Sequence, residues 1–338
     1  MGTNHIQDIL TMLAKRQNLP REEAERAFQI MLGGGATPAQ ISAFLMGLRQ
    51  KGETVDELIG GATVLRAKMK TIKAPEGAID CCGTGGDARR TLNISTAAAI
   101  VLAACGVKVA KHGNRAITSA SGSSDILREL GINIEAAPEV AERALKECGM
   151  CFLMAPLYHA SLRHVAPVRL ELGLRTIFNL LGPLANPAGV KRQVVGVYAK
   201  EWIEPMAHTL HGLGTQRAWV VCGADGMDEL TTTGETYVAS LDNGAVETFT
   251  VMPESVGLER ASLDQLKGLD AEYNAKALNE LLAGKKGAYR DIVLLNSAAG
   301  LVVADAASQL KDGIAIAAEA IDSGKAQRVL AQLIQIMN

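Results

Sequence analysis

The sequence of 338 residues lacks an excess of either charge and lacks a long apolar run, and each absence excludes a class of protein. Lys and Arg number 34 against 36 Asp and Glu, and no segment is rich in basic side chains. Nothing therefore predicts a surface that binds nucleic acid through its phosphates. The longest apolar run, 97–107, is too short to cross a bilayer and predicts a buried helix. Because 48% of the residues are apolar, disorder is also excluded.

Targeting signals and disulfide patterns are missing as well. Residues 1–30 include charged side chains and no continuous apolar core, so we do not expect a signal peptide. The 6 cysteines lie in apolar contexts, and Cys148-x-x-Cys151 has neither a second cysteine pair nor a histidine at zinc-finger spacing. These features predict a cytoplasmic protein with buried free thiols and no membrane segment.

Two capping boxes predict helices in the first seventy residues. Thr37 lies three residues before Gln40, with a proline between them, and apolar residues then repeat at helical spacing. Thr54 and Glu57 repeat the pattern before a second helical segment. No strand pattern interrupts this part of the sequence, so we expect the chain to begin with a helical region.

From about residue 78 onward, short β-capable runs alternate with helical stretches. The runs are 78–82, 107–110, 151–154, 194–198 and 218–222. This alternation is typical of a mainly parallel sheet covered by helices. Two further runs, 238–241 and 246–251, flank Asp242-Asn243-Gly244 and predict an antiparallel hairpin added to the sheet. The expected fold class is α/β, with a small all-helical N-terminal region and a larger domain built on the sheet.

Glycine is more frequent than usual, and part of the surplus follows the first predicted strand. The chain has 34 glycines, against roughly 24 at the ordinary usage of about 7%. Three of them lie in the segment from Gly83 to Asp87, where a backbone without Cβ atoms can approach an anion. The polar segment 91–96 then opens the apolar helix, whose free amides favour a phosphate. The alternative is an ordinary strand-to-helix turn followed by an N-cap.

A second polar loop follows the second predicted strand. The segment from Lys111 to Arg115 contains two cations, a histidine and a glycine, and hydroxyl side chains are dense in 118–124. The carboxyl end of a strand is where open α/β sheets bind their ligands. Two such loops on successive strands fit a ligand with two phosphate groups better than a ligand with one. A solvated polar loop remains the alternative.

The third polar segment is acidic and follows the predicted strand 218–222. In it, Asp225 precedes the adjacent pair Asp228 and Glu229. Carboxylates of this kind can converge in an irregular loop and hold a hard cation such as Mg²⁺. Alone, the pair would indicate only a solvated loop, but a ligand rich in phosphate nearby favours the metal site.

Together with the segment 155–184, these motifs resemble the anthranilate phosphoribosyltransferase family over essentially the whole chain. The parts of that segment that carry the resemblance are Ala155 to His159, His164 to Arg169 and Thr176 to Leu184. The resemblance implies a small helical domain, 1–73 plus about 165–188, for dimerisation and anthranilate. It implies a larger α/β domain, 74–164 plus 189–338, for the phosphorylated substrate and metal, and a homodimer formed through the helical domains.

The implied reaction transfers phosphoribose from 5-phosphoribosyl 1-diphosphate (PRPP) to the amine of anthranilate, the second committed step of tryptophan biosynthesis. The products are N-(5-phosphoribosyl)anthranilate and pyrophosphate, and two Mg²⁺ ions are implied per subunit. The resemblance assigns PRPP binding to Gly83, Gly86, Asp87, Thr91, Asn93, Ile94, Ser95, Thr96, Lys111, His112, Gly113, Asn114, Arg115, Ser119, Gly122 and Ser123. It assigns anthranilate binding to Gly83, His112, Asn114, Tyr158, Arg169 and Pro183, and Mg²⁺ binding to Ser95, Asp228 and Glu229.

This chemistry makes limited demands on the protein. Departure of pyrophosphate leaves positive charge on the ribose, so catalysis needs a neutralised leaving group and a nucleophile held in place. Arg169 can bind the anthranilate carboxylate with two parallel hydrogen bonds. An aromatic amine is mostly unprotonated at neutral pH, so no base is required to start the attack. His112 is the candidate for a later proton acceptor.

Two other functions on the same architecture are open to test. The first is a pyrimidine nucleoside phosphorylase, against which Arg169 and Asn114 argue by their place in the family pattern. The second is a non-catalytic relative that binds nucleic acid, which should lack the glycine loop or the acidic pair and carry a basic surface. The sequence keeps both motifs and has no basic surface pattern.

Overall fold

The computed structural model describes residues 6–87, 89–114 and 122–338. Arg115 and Ser119, both predicted PRPP contacts, lie outside these residues. The helices are α1 (Ile6–Ala14), α2 (Arg21–Leu32), α3 (Pro38–Lys51), α4 (Val55–Lys68), α5 (Ile94–Ala104), α6 (Ser123–Glu129), α7 (Pro138–Glu147), α8 (Ala155–Tyr158), α9 (Ala166–Leu172), α10 (Ile177–Leu181), α11 (Ile203–Gly212), α12 (Ala271–Leu282), α13 (Ala288–Val303), α14 (Leu310–Asp322) and α15 (Lys325–Met337). The strands are β1 (Ile79–Gly83), β2 (Val109–Gly113), β3 (Met150–Met154), β4 (Arg192–Gly196), β5 (Arg217–Gly223), β6 (Thr236–Asp242) and β7 (Ala245–Val251).

Both capping boxes form, so the predicted starts of α3 and α4 are confirmed. The Gln40 amide donates to Thr37 Oγ1 at 3.3 Å, and the Thr37 amide donates to Gln40 Oε1 at 2.9 Å. Thr54 and Glu57 make the same reciprocal pair at 3.4 and 2.8 Å. Each box satisfies amides that the first helical turn leaves without an intrahelical partner, which is why a local pattern predicts the boundary.

A seven-stranded sheet lies at the centre, in the order β3-β2-β1-β4-β5-β6-β7. Strands β1 to β5 pair in parallel, whereas β6 and β7 add antiparallel ladders at one edge. Asn243 and Gly244 form the two-residue loop of this hairpin with φ of 47° and 96°, the positive values that such a turn requires. The predicted α/β fold class and the mainly parallel sheet are confirmed.

Strand β2 extends further than the sequence pattern predicts. Lys111 and His112, expected in the loop after the strand, lie within it and pair with Phe152 and Leu153 of β3. The prediction stopped the strand too early because a lysine and a histidine before a glycine resemble a polar loop. Strand β3 supplies backbone partners for these residues, and on the other side the His112 amide donates to the Asp80 carboxylate of β1 at 3.2 Å.

Helices cover both faces of the sheet and form two buried apolar clusters. One cluster joins α5, α7 and α12 to α15 to one face. The other joins α1 to α4, α11 and the segment 165–185 to the opposite face. That segment returns to the N-terminal helices, where Phe178 packs edge-on against Phe28 with ring centroids 5.6 Å apart. In the part of the chain that is described, no helix combines the length and apolar content needed to cross a membrane.

Candidate active site

The predicted ligand loops meet where the strand order reverses. From β1, the next two strands in the chain, β2 and β3, are added on one side of the sheet, whereas β4 pairs on the other side of β1. The last residues of the two central strands, Gly83 and Gly196, are paired neighbours. In open parallel sheets the crevice at such a reversal, beyond the carboxyl ends of the strands, is the usual ligand site.

Three neighbouring elements anchor the glycine loop that follows β1. The Thr84 amide donates to Gly196 O at 2.9 Å, and the Gly85 amide donates to Asp228 Oδ2 at 2.7 Å. The guanidinium of Arg175 donates to Gly86 O. Gly85 and Gly86 have φ of 68° and 80°, a region in which side chains are strained. The amides of Gly86 and Asp87 donate to no acceptor among the described residues, so they are free to receive an anion.

The acidic loop after β5 lies directly on the ends of the two central strands. A Cβ atom at Gly83 or at Gly196 would overlap Asp228, so both strands must end in glycine for the loop to approach. Asp225 holds the loop together, because its Oδ2 accepts hydrogen bonds from the hydroxyls of Thr231 and Thr233. The packing brings the predicted anion loop and the predicted metal ligands together.

The two predicted metal-binding carboxylates are half-buried in the site, and both have raised pKa values. Burial first, and then the charge of Asp87, raises the pKa of Asp228 to about 7. Burial and the charge of Asp228 raise the pKa of Glu229 to about 8. Glu229 Oε1 also accepts the Ser95 amide at 3.1 Å, which places the acidic loop at the start of α5. A divalent cation would offset both the burial and the mutual repulsion of these carboxylates.

Oxygen donors dominate this site, as a hard cation requires. Among residues 6–87, 89–114 and 122–338, no group of three or more His, Cys, Asp or Glu side chains is arranged to hold a metal by itself. Mg²⁺ ordinarily binds through one or two carboxylates, with waters and substrate phosphates completing its shell. Asp228, Glu229 and the Ser95 hydroxyl therefore fit a magnesium site that a phosphorylated ligand completes.

Lys111 brings a buried positive charge to the same place. Its Nζ donates to Cys81 O at 2.7 Å and to Ser95 Oγ at 3.2 Å, and the residue is only 2% exposed. Burial raises the pKa of the Asp80 carboxylate, and the charge of Lys111 partly offsets that rise. The lysine is thus held beside β1 and the start of α5, next to the predicted metal ligands.

The remaining predicted PRPP contacts border the same crevice in two groups. Thr91 bridges to Lys267, while Asn93 Oδ1 accepts from Asn274 Nδ2 at 2.9 Å. Ile94 and Thr96 are buried in the first turn of α5. In the second group, a Cβ at Gly113 would overlap Ser123, whose hydroxyl donates to Asn114 O at 3.4 Å, and Gly122 precedes α6.

A pair of buried histidines lies beside the phosphate region. His112 and His159 have ring centroids 5.1 Å apart, and Nε2 of His112 has no hydrogen-bond partner among the described residues. The predicted site residue is the preceding one, Tyr158, which is buried in the core and whose carbonyl accepts the Lys70 amide at 2.9 Å. Only the packing of α8 against β3 identifies His159, since one residue of register decides which side chain meets His112.

The pKa values of both imidazoles are low. Burial, followed by the charge of His159, lowers the pKa of His112 to about 3. Burial lowers the pKa of His159 to about 4. Both rings are therefore neutral near pH 7, and His112 is a weak base for accepting a proton.

These pKa values predict acid sensitivity. The unfolded chain takes up protons on His112 and His159 near pH 6.5, whereas the folded chain does so only near pH 3 to 4. Their stabilising contribution is therefore complete above pH 6.5 and is lost as the pH falls, by roughly 2 kcal/mol per imidazole at pH 5. Urea unfolding at pH 7 and pH 5 should show a smaller loss for His112→Asn/His159→Asn than for the native chain. The exposed pair His208→Asn/His211→Asn is the control, and an equal loss in all three proteins would refute the prediction.

Arg169 brings an uncompensated cation into the helical side of the site. Its guanidinium lies over the Phe178 ring, 5.1 Å from the centroid, and burial lowers its pKa. No carboxylate in the described part of the chain pairs with it. Pro183, the other predicted anthranilate contact in this part of the chain, is buried, and the backbone of the preceding Gly182 is hydrogen-bonded to His112. A half-buried guanidinium of this kind is prepared to bind a carboxylate from a ligand.

Comparisons with known proteins agree with this geometry. The profile described as "Glycosyl transferase family, a/b domain" matches residues 75–327, and the profile of its helical bundle domain matches 7–69. The chain is 56% identical to the anthranilate phosphoribosyltransferase of Mesorhizobium japonicum over 94% of each protein, and 54% identical to that of Rhodospirillum rubrum over 99% of this chain and 96% of the relative. The chain belongs to the anthranilate phosphoribosyltransferase family.

Solved structures of this family share the whole fold. The crystal structure of anthranilate phosphoribosyltransferase from Thermus thermophilus has a TM-score of 0.93 at 41% identity, over 98% of this chain and 99% of that one. The enzyme from Saccharomyces cerevisiae, solved in complex with PRPP and Mg, has a TM-score of 0.89 at 29% identity, over 98% and 97%. The predicted family and fold class are confirmed.

Proposed function

We propose that the chain catalyses transfer of phosphoribose from PRPP to the amine of anthranilate, forming N-(5-phosphoribosyl)anthranilate and releasing pyrophosphate. The observation that carries this proposal is the convergence of the glycine loop, Lys111, Ser95 and the acidic pair at the ends of β1 and β4. Membership of the family, whose relatives bear the name of this activity, supports the same conclusion.

In this proposal PRPP lies across the crevice with its diphosphate at the glycine loop. The free amides of Gly86 and Asp87 and the first turn of α5 supply hydrogen-bond donors, and Lys111 supplies a charge. The predicted contacts at Thr91 and Asn93, and those at Gly113, Asn114, Gly122 and Ser123, would then border the phosphate and ribose. Arg115 and Ser119 remain predictions from the family pattern.

Two Mg²⁺ ions per subunit are proposed at Ser95, Asp228 and Glu229. The raised pKa values of the two carboxylates and the absence of a self-sufficient ligand cluster among the described residues both fit a cation that arrives with its substrate. The bound ions would neutralise the charge on the leaving diphosphate. The yeast relative, solved with PRPP and Mg, supports this assignment by analogy.

Anthranilate is proposed to bind on the helical side, with its carboxylate on Arg169. Asn114, Gly83 and the rings of His112 and Tyr158 complete the predicted set with Pro183. We add His159, because its ring packs against that of His112. A neutral, buried pair of imidazoles suits an aromatic acceptor better than a charged pair would.

Catalysis in this proposal depends on position and charge rather than on a strong base. The free amides of Gly86 and Asp87, together with Lys111, stabilise the departing diphosphate, while Arg169 orients the amine toward the ribose carbon. The amine loses a proton after attack. With a pKa of about 3, His112 is poorly matched to take that proton, so solvent is the simpler acceptor.

Loss of anthranilate fluorescence on addition of PRPP and Mg²⁺ tests the proposal. The native chain should consume anthranilate, and chelation of the metal should stop the reaction. Phosphorolysis of thymidine or uridine without anthranilate consumption would instead establish a pyrimidine nucleoside phosphorylase. Tight, salt-sensitive binding of single-stranded DNA without turnover would establish the nucleic-acid-binding alternative.

We also propose the domain division and the homodimer that the family pattern implies: 1–73 with about 165–188, and 74–164 with 189–338. The return of α9 and α10 to the N-terminal helices supports the division. The exposed apolar side chains of Met46 in α3 and of Leu170 and Leu174 in the returning segment support the dimer. Leu170 is 82% exposed and Leu174, four residues later, is 56% exposed, so this segment presents two apolar side chains that a partner surface would cover. The free thiols support a cytoplasmic location.

Negative charge at Leu170 and Leu174 should separate the subunits of the proposed dimer. We expect the native chain to sediment as a dimer and Leu170→Glu/Leu174→Glu to sediment as a monomer, because two buried carboxylates per subunit cannot be accommodated in an apolar contact. Leu263→Glu, on a partly exposed leucine in the sheet domain, is the matched control and should stay dimeric. A dimer of the double variant, or a monomer of the native chain, would contradict the proposal.

A further inference from the structure

Arg175 is a charged residue outside the predicted site set, and the fold fixes its position. It lies between α9 and α10, immediately before Thr176, whose amide donates to Asn179 Oδ1 at 3.0 Å at the start of α10. Helix α10 is mostly buried, and Ile177 and Phe178 belong to the apolar cluster that contains helices α1 to α4. The backbone of Arg175 is therefore attached to a rigid element of the helical side.

The side chain crosses from this element to the sheet side. Its guanidinium donates to Gly86 O in the glycine loop. It also stacks on the Tyr198 ring, 4.4 Å from the centroid, and Tyr198 follows β4 two residues after Gly196. Stacking on an aromatic ring holds a guanidinium plane in one orientation. The Arg175 guanidinium, which holds the glycine loop, is thus held in place by the Tyr198 ring.

The bond to Gly86 O determines where the next amide points. In a trans peptide the carbonyl of one residue and the N–H of the next point in opposite directions. Holding Gly86 O on Arg175 therefore directs the Asp87 N–H away from Arg175, and this amide has no acceptor among the described residues. Without that bond, two successive glycines at positive φ leave the peptide free to rotate.

We infer that Arg175 is a positioning residue that holds the glycine loop in its anion-binding conformation and thereby sets the affinity for PRPP. The inference rests on the proposed function for the identity of the ligand. It also connects the two substrate regions, because Arg175 follows the helix that carries Arg169 by three residues. Loss of Arg175 should therefore weaken the binding of PRPP and leave the binding of anthranilate nearly unchanged.

Direct binding separates this inference from the proposed function. Titration calorimetry with PRPP and Mg²⁺ should show a dissociation constant about 10- to 100-fold higher for Arg175→Met than for the native chain, the usual effect of losing a group that orients a ligand-binding one. Arg175→Lys should recover part of the loss, because an ammonium can still donate to Gly86 O. Tyr198→Leu should bind PRPP more weakly than Tyr198→Phe, which keeps the ring. Arg163→Met, on an exposed arginine, is the matched control.

Steady-state kinetics supply the second readout. The KM for PRPP should rise in Arg175→Met, whereas the KM for anthranilate should stay within about twofold. Equal rises for both substrates, or unchanged PRPP binding by a folded Arg175→Met, would overturn the inference. If the native chain binds PRPP but does not consume anthranilate, the proposed function fails, and the calorimetric comparison still decides the role of Arg175.

Discussion

Asp228→Asn and Glu229→Gln should each lower kcat/KM for PRPP by about 100-fold or more, the largest effects that we expect from single substitutions. Each change removes a negative oxygen from the proposed magnesium site and keeps the shape of the side chain. Shape matters because Asp228 lies against Gly83 and Gly196, where a larger residue would not fit. Burial raises the pKa of both carboxylates, so the neutral amides should not destabilise the fold.

Magnesium titrations distinguish lost metal binding from a disturbed loop. The concentration of Mg²⁺ that gives half-maximal rate should rise sharply in both variants. Glu254→Gln is a suitable control because Glu254 is an exposed glutamate that pairs with Arg260 at 2.8 Å on the surface. Unchanged turnover and an unchanged Mg²⁺ requirement in Asp228→Asn/Glu229→Gln would refute the metal assignment. The proposed binding of the diphosphate at the glycine loop would not be affected by that result.

Arg169→Ala should raise the KM for anthranilate by about 100-fold with much less change in the KM for PRPP. Loss of one partner of a buried charge pair costs about 2–5 kcal/mol, which corresponds to this range. The guanidinium is half-buried on the Phe178 ring and has no carboxylate partner in the described residues, so a ligand carboxylate is its natural counter-ion. Initial rates at varied concentrations of each substrate measure the two constants separately.

Two variants sharpen this test. Arg169→Lys keeps the charge but cannot donate two parallel hydrogen bonds, so it should fall between the native chain and Arg169→Ala. Arg163→Ala removes an exposed arginine from the same region and should leave both constants unchanged. Similar increases in both KM values for Arg169→Ala would show that the residue supports the fold of the site and does not hold anthranilate.

Local signals predicted the parts of this fold that depend on neighbouring residues. The capping boxes at Thr37 and Thr54 specified the starts of α3 and α4, because the bonds that form them span three residues. The Asn243-Gly244 turn specified the hairpin for the same reason. The end of β2 was predicted too early, since the stability of that strand around Lys111 comes from β1 and β3, which are distant in sequence.

The site shows the same division between local and distant determinants. Its glycine loop and acidic pair were recognisable as short motifs, although only the sheet order shows that Asp228 rests on Gly83 and Gly196. His159 was not among the predicted site residues, because one position of register at the end of α8 decides which ring meets His112. Arg175 was missed because its partner, Gly86, is 89 residues away in sequence.

In the proposed reaction, one site couples departure of pyrophosphate to capture of the ribose by anthranilate. The most direct measurement follows pyrophosphate release and loss of anthranilate fluorescence in the same reaction with PRPP and Mg²⁺. We expect equal amounts of both products of these assays, with little pyrophosphate released when anthranilate is omitted. Release of pyrophosphate without consumption of anthranilate, or no reaction in the native chain, would contradict it.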